Sequence, residues 1–222
     1  ALASFFAVLF VKSILMSFSL PKIYPITDRL ISKLSHLEQV KRLIEGGANL
    51  IQLRDKFATP KEFYESAKDV LDFVQGSDVK IVINDRVDIA LAVKADGVHL
   101  GQDDLSPVHA RAILGEKAII GFSTHSISQA IEAIKSPIDY IAIGPIFATS
   151  TKENPDPVVG IEGLKTVRQA IEDFPLVAIG GIQTFNAEGI FENGADSLAL
   201  ISAILIDSSN ISTSYRKFNK QL

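Results

Sequence analysis

Residues Asp139–Lys152 read DYIAIGPIFATSTK, and the pattern of the first five recurs along the chain. Asn49-Leu-Ile-Gln-Leu53, Asp96-Gly-Val-His-Leu100, Asp139-Tyr-Ile-Ala-Ile143 and Asp196-Ser-Leu-Ala-Leu200 each place an Asn or Asp before a short apolar strand. The copies lie about 50 residues apart, which is two strand–helix units. They are therefore the second, fourth, sixth and eighth strands of a repeating architecture. Between them the chain supplies the odd strands: Lys22–Ile26, Lys80–Ile83, Ile119–Phe122 and Leu176–Ile179. The even ones are Leu50–Leu53, Val98–Leu100, Tyr140–Ile143 and Ser197–Leu200.

Helices fill the gaps. Leu37, Val40 and Ile44 recur at helical spacing before Gly46-Gly47. Thr59-Pro60-Lys61-Glu62 is a capping box with Pro at the first helical position, and the helix it opens runs to about Gln75. A short helix is expected over 86–93, and Ser106-Pro107 opens another. Ser126–Gln129 reads as a second capping box, Leu164, Val167 and Ile171 mark a further helix, and 186–193 the next. Eight units from Met16 onward have about 26 residues each, near the lower size of a (β/α)8 barrel. Like residues at like heights on even strands suit the layered interior of such a TIM barrel. An open doubly wound sheet is the alternative, but no GxGxxG follows the first strand.

The second half of the opening stretch, GPIFATSTK (144–152), carries the chemistry. A buried strand ending in hydroxyls with a cation beside them is how an α/β protein holds a phosphorylated ligand. The residues that follow, 153–161, hold two Pro and one Gly and read as a loop over that ligand. In a barrel all strand ends meet on one face. Collected in order they are Gln52, Arg54 and Lys56; Asn84 and Asp85; Gln102, Asp103 and Asp104; Ser123, Thr124 and His125; Thr149, Thr151 and Lys152; Gly180-Gly181; and Ile201-Ser202. Cations, two carboxylates from different strands, hydroxyls and backbone-exposing turns suit a phosphorylated substrate and a hard metal.

Each piece also has a structural reading. Asp55 could neutralise Arg54 and Lys56, Asp85 could cap the following helix, Gly180-Gly181 could be a tight turn, and Ser202 could cap the last helix. His99 and His125 read as core or rim histidines. Two crowded carboxylates need a positive partner, and Arg54, Arg86 or a metal could supply it.

Composition bounds the rest. The 222 residues are 47% apolar and 22% charged, enough for one large core. A net charge of −4 argues against a nucleic-acid partner, leaving small phosphorylated molecules, with homo-oligomerisation open. The chain has no Cys, which removes disulfides, thiolate metal sites and a Cys nucleophile, and suits a cytoplasmic location. Residues 1–15, ALASFFAVLFVKSIL, are too short to span a bilayer and lack the charge order of a signal peptide. They are expected to be an apolar extension outside the native fold, which would start at Met16, and no membrane role is expected.

The strand-end motifs IQLRDK (51–56), INDR (83–86), DGVHLGQDD (96–104), GFSTH (121–125), GPIFATSTK (144–152), AIGGI (178–182) and ISAI (201–204) together resemble those of the thiamine-phosphate synthase family. The resemblance runs from about Tyr24 to the C-terminus. It implies a transferase joining 4-amino-2-methyl-5-hydroxymethylpyrimidine diphosphate to a thiazole phosphate or its carboxylated tautomer. By the same resemblance, Gln52, Arg54, Lys56, Asn84, Ser123 and Lys152 hold the pyrimidine diphosphate. Arg54, Lys56, Ser123 and Lys152 are the catalytic candidates, and Asp85 and Asp104 bind Mg²⁺. Thr149, Thr151, Gly181, Ile201 and Ser202 hold the thiazole phosphate. Arg86 departs from the family pattern, where many members carry a small acidic or polar residue. A thiazole tautomerase-like relative and a non-catalytic phosphate-ligand sensor are the alternatives. Asp85, Asp104, Pro145 and Lys152 favour the synthase over the tautomerase.

Overall fold

The structure, a computed structural model, describes residues 19–149, 151 and 156–221. Residues 1–15, the expected extension, lie outside the described residues, as do Ser150, Lys152 and 153–155 of the expected loop.

Eight parallel strands close into a barrel in sequence order. They are β1 (Ile23–Thr27), β2 (Leu50–Leu53), β3 (Lys80–Asn84), β4 (Gly97–Leu100), β5 (Ile119–Thr124), β6 (Tyr140–Ile143), β7 (Leu176–Ile179) and β8 (Ser197–Leu200). Closure is direct: Tyr24 of β1 stands in register with Ala199 of β8. The helices are α1 (Arg29–Ser32), α2 (His36–Gly46), α3 (Pro60–Val74), α4 (Val87–Val93), α5 (Pro107–Leu114), α6 (Ile127–Ala133), α7 (Gly160–Ile171), α8 (Ala187–Glu192), α9 (Ser202–Leu205) and α10 (Ile211–Gln221).

Alternation along each strand divides the apolar side chains into two shells. Tyr24, Ile26, Leu50, Val82, Ile119, Tyr140, Ala142, Val177 and Ala199 fill the barrel. Residues of the other parity, such as Ile51, Ile83 and Leu198, pack outward against helix faces that include Val40, Leu43 and Leu164. Both faces are buried, so the strands read as apolar runs. None of the helices among the described residues is long and apolar enough to cross a membrane.

The recurrent acid has a mechanical role at the N-terminal face. Carboxylate oxygens of Asp96, Asp139 and Asp196 accept the N–H of Ile81, Ile120 and Leu176, near the starts of the preceding odd strands, at 2.9, 2.7 and 2.8 Å. Arg111 and Arg168 then bind Asp139 and Asp196, at 2.8 and 2.6 Å. Each also donates to carbonyls of the turn after its own helix, those of Gly115 and Glu172 among them. The clasps close the end of the barrel opposite the predicted site.

Three local expectations change. Asp28 caps α1, which is too short to show a period, by accepting from Leu30 and Ile31 N–H. At the second expected capping box, Ser126 accepts from Gln129 N–H, but the Gln129 side chain accepts from His125 N–H at 2.7 Å. The loop after β6 ends two residues early, because α7 already starts at Gly160.

Candidate active site

The C-terminal strand ends surround a cavity of about 490 Å³. Every described residue assigned from the sequence lines it: Gln52 on β2 with Arg54 and Lys56 after it, Asn84 at the end of β3 with Asp85 after it, Asp104 after β4, and Ser123 on β5. Thr149 and Thr151 after β6, Gly181 after β7, and Ile201 and Ser202 after β8 complete the ring. Lys152 lies outside the described residues.

The cationic side is built by β1 and β2. Arg54 Nη1 lies 2.8 Å from Asp28 Oδ2. Asp28 is itself held, since its N–H donates to Gln39 Oε1 at 2.9 Å. Asp55 points elsewhere and does not neutralise Arg54 or Lys56. It binds Arg29 and His36 and accepts the N–H groups of Phe57 and Ala58. Burial would raise the Asp55 carboxyl, but these hydrogen bonds outweigh it and hold the group well below the carboxylate range.

Lys56 pairs with Asp85 across the mouth of the cavity. Neither Arg54 nor Arg86 takes that position: Arg86 turns to Asp88, and its pairing lowers the Asp88 carboxyl. Nor does Asp85 cap the next helix; Arg86 occupies the N-cap and makes no side-chain bond there. Asp85 instead adopts φ +61°, a left-handed conformation that Asp tolerates, and its N–H donates to His99 C=O at 2.8 Å. Asp104 Oδ2 accepts from Gly101 N–H at 2.7 Å. Burial raises the Asp104 carboxyl, and the adjacent Asp85 charge adds to it.

The opposite side is a backbone cradle. Gly180 and Gly181 have φ +100° and +66°. A Cβ on Gly180 would fall 2.5 Å from Pro145 Cβ, and one on Gly181 would fall 2.7 Å from Ala148 O. Ile146 N–H donates to Ile179 C=O and Phe147 N–H to Gly180 C=O, at 2.9 and 3.0 Å. The GPIFAT segment is thus strapped to the glycine turn. Ser202 is the first residue of α9 rather than its cap; the N-cap is Ile201, which makes no side-chain cap bond.

His99 and His125, which by sequence alone read as core or rim histidines, also line the cavity. His125 Nδ1 is 2.7 Å from Gly144 C=O, and its Nε2 is 3.5 Å from an Asp156 carboxylate oxygen. His99 is 7% exposed and sits between Tyr140 and Ser123. The even-strand repeat contained the signal for it, because His99 occupies the same repeat position as Gln52.

Burial pushes the His99 imidazole down to about 4, so it is neutral at pH 7. The unfolded chain binds this proton near 6.5. Stability from the neutral form is therefore complete above that value and is lost as pH falls from about 6.5 to about 4. Between pH 7 and 5 the expected loss is on the order of 2 kcal/mol. Urea unfolding at both pH values would show it, and His99→Asn should remove most of that difference. An equal pH dependence in the variant would contradict the assignment.

Comparison with known proteins places the chain in a family. The family model described as thiamine monophosphate synthase matches residues 23–204. A thiamine-phosphate synthase of Syntrophomonas wolfei is 45% identical over 199 residues, covering 89% of this chain and 94% of the relative. One of Chloroflexus aurantiacus is 41% identical over 185 residues, covering 83% and 85%. A solved thiamine phosphate pyrophosphorylase of Pyrococcus furiosus superposes with a TM-score of 0.80 at 37% identity, covering 90% of this chain and 94% of that one. Since the match runs from the first strand through the last strand end, the chain belongs to the thiamine monophosphate synthase family of transferases.

Proposed function

We propose that the chain couples 4-amino-2-methyl-5-hydroxymethylpyrimidine diphosphate to thiazole phosphate, or to its carboxylated tautomer, releasing thiamine phosphate and diphosphate, and CO₂ as well when the tautomer is used, in a Mg²⁺-dependent reaction. The observation that carries this reading is one cavity in which Arg54, Lys56, Asp85 and Asp104 face a glycine cradle. Cations and carboxylates at one mouth suit a metal-bound diphosphate, and the cradle suits a second phosphate.

Asp85 and Asp104 fit a hard divalent ion. They are oxygen donors from adjacent strands, and the Asp85 charge already disfavours ionisation of Asp104, a conflict that a cation relieves. Bound there, Mg²⁺ would neutralise charge on the diphosphate. Arg54, held by Asp28, and Lys56 bind the same group and interact more strongly as it gains charge on leaving. Lys152 is assigned to this group as well. Gln52, Asn84 and Ser123 orient the pyrimidine. Thr149, Thr151, Gly181, Ile201 and Ser202 hold the thiazole phosphate so that its ring nitrogen meets the electron-poor CH₂ carbon. The mechanism is dissociative: the aminopyrimidine stabilises the cation left when diphosphate departs, and no covalent nucleophile is needed. The proposed location is the cytoplasm, in keeping with a chain free of cysteine.

The deciding experiment incubates the protein with both substrates and Mg²⁺ and assays thiamine phosphate by chromatography. Absence of product at saturating substrate would reject the reading. Thr151→Val and Ser202→Ala each remove a hydroxyl from the phosphate side. Each is expected to raise the thiazole phosphate KM about tenfold or more. Equal weakening of both substrates would instead indicate misfolding. Lys152→Ala is expected to lower kcat more than it raises that KM. A change confined to the thiazole KM would refute its assignment to the leaving group.

A further inference from the structure

Below the mouth of the cavity, five side chains form a hydrogen-bonded chain across the barrel interior. Gln52 Nε2 donates to Tyr24 OH at 3.0 Å. The Tyr24 and Tyr140 hydroxyls are 2.9 Å apart, and Tyr140 OH lies 3.0 Å from His99 Nδ1. His99 Nε2 lies 2.8 Å from Ser123 Oγ. Gln52, His99 and Ser123 line the cavity, whereas Tyr24 and Tyr140 are fully buried behind it.

The rings are held in place by one another. Tyr24 meets Tyr140 edge to face at 5.8 Å, and His99 stacks on Tyr140 at 5.5 Å. Gly121 makes the room: a Cβ there would fall 2.1 Å from Tyr140 Cζ and 2.5 Å from His99 Nδ1.

Proton counting restricts what the two ends can present. Four hydrogen bonds need four protons. Tyr24, Tyr140 and neutral His99 supply one each, so the fourth comes from an end. In the observed direction it comes from the Gln52 amide. Tyr24 then donates to Tyr140, Tyr140 to His99 Nδ1, and His99 Nε2–H to Ser123. That leaves the Ser123 proton for a ligand, and at Gln52 the carbonyl oxygen and the second amide N–H. In the reverse direction Ser123 supplies the proton, the carboxamide turns over, and Gln52 offers N–H while Ser123 offers lone pairs. The direction thus decides whether Ser123 can donate, and with it which way the Gln52 carboxamide is turned toward the ligand. Without the link, each end would choose its role independently.

We propose that Tyr24, Tyr140 and His99 are positioning residues that tie the hydrogen-bonding direction of Gln52 to that of Ser123, so that the barrel floor selects a heteroaromatic ring offering one donor and one acceptor. A 4-aminopyrimidine offers that pair in its amino group and ring nitrogen. The inference rests on the aminopyrimidine reading above and adds residues that never touch the ligand. Cutting the chain leaves buried polar groups unpaired and frees both ends, so ring recognition weakens while the phosphate contacts remain.

The test uses Tyr140→Phe and Tyr24→Phe, which keep the rings and lie outside the cavity. In each, the KM for the aminopyrimidine diphosphate is expected to rise about fivefold to tenfold. The thiazole phosphate KM and the inhibition constant of inorganic diphosphate with Mg²⁺ should stay within twofold, because neither reads the ring. The double variant should be no worse than the weaker-binding single, since one chain is cut only once. Multiplying effects, parallel losses for diphosphate and thiazole phosphate, or an unchanged pyrimidine KM would each overturn the proposal. If one variant fails to fold, the contrast between ring and diphosphate in the other still decides. A parent protein that forms no thiamine phosphate would refute the functional reading; an active parent with unaffected tyrosine variants refutes only this inference.

Discussion

Asp85→Asn and Asp104→Asn are each expected to lower coupling about 100-fold or more at limiting Mg²⁺, with normal folding. The folding half follows from the contacts. Asn at 104 can still accept from Gly101 N–H, and removing one of two crowded charges relieves the repulsion that raises the Asp104 carboxyl. Asn at 85 tolerates φ +61°, and the Lys56 it leaves behind has a half-exposed side chain, so the lost pair costs little. The activity half follows from a shared ion. Raising Mg²⁺ should restore part of the rate, because metal affinity is what falls. The double variant should lose less than the product of the single losses. Thiazole phosphate binding, measured by calorimetry, should stay near that of the parent. A loss of several kcal/mol of stability, with residual activity indifferent to Mg²⁺, would make the carboxylates structural and end the mechanism.

Gly181→Ala is expected to damage both stability and phosphate binding, and Gly47→Ala is its control. Both glycines have positive φ, +66° and +104°, so both substitutions cost about 1–2 kcal/mol of left-handed strain. Only Gly181 is also crowded: its Cβ would lie 2.7 Å from Ala148 O and from Phe147 Cβ, whereas nothing lies within 4 Å at Gly47. The GPIFAT segment must then move from the glycine turn. Gly181→Ala should lower stability by roughly 1–3 kcal/mol beyond the control and raise the thiazole phosphate KM at least about tenfold. Equal stability losses in the two variants, measured by denaturant unfolding, with no change in KM, would show that the cradle is not built by this contact.

How far the sequence alone reaches can be judged from particular elements. The even-strand repeat predicted eight units, and the strands appear within one or two residues of expectation. Helix α3 starts at the Thr59 capping box, with Glu62 closing it. These are local signals: burial on both faces writes a strand as an apolar run, and a cap writes its hydrogen bonds within four residues. The short α1 left no period to read. The membership of the site was legible for a related reason. In a closed parallel barrel every strand end reaches one face, so twelve candidate residues from seven strands converge on one cavity without any knowledge of side-chain direction.

Pairing was a different matter. The sequence offered Arg54 or Arg86 to the carboxylates and Asp55 to the cations. The fold gives Lys56 to Asp85, Asp28 to Arg54, and Arg29 with His36 to Asp55. Neighbours in sequence on a strand end point to opposite sides, so adjacency along the chain is the wrong guide to electrostatic partners. The chain of Tyr24, Tyr140 and His99 joins residues up to 116 positions apart and depends on the room left by Gly121. The sequence determined the barrel and which residues surround its mouth, because both follow from local periodicity and parallel closure. Only the tertiary structure decided which groups share charges and protons, because those partners meet across the barrel through side-chain directions that no short stretch of sequence contains.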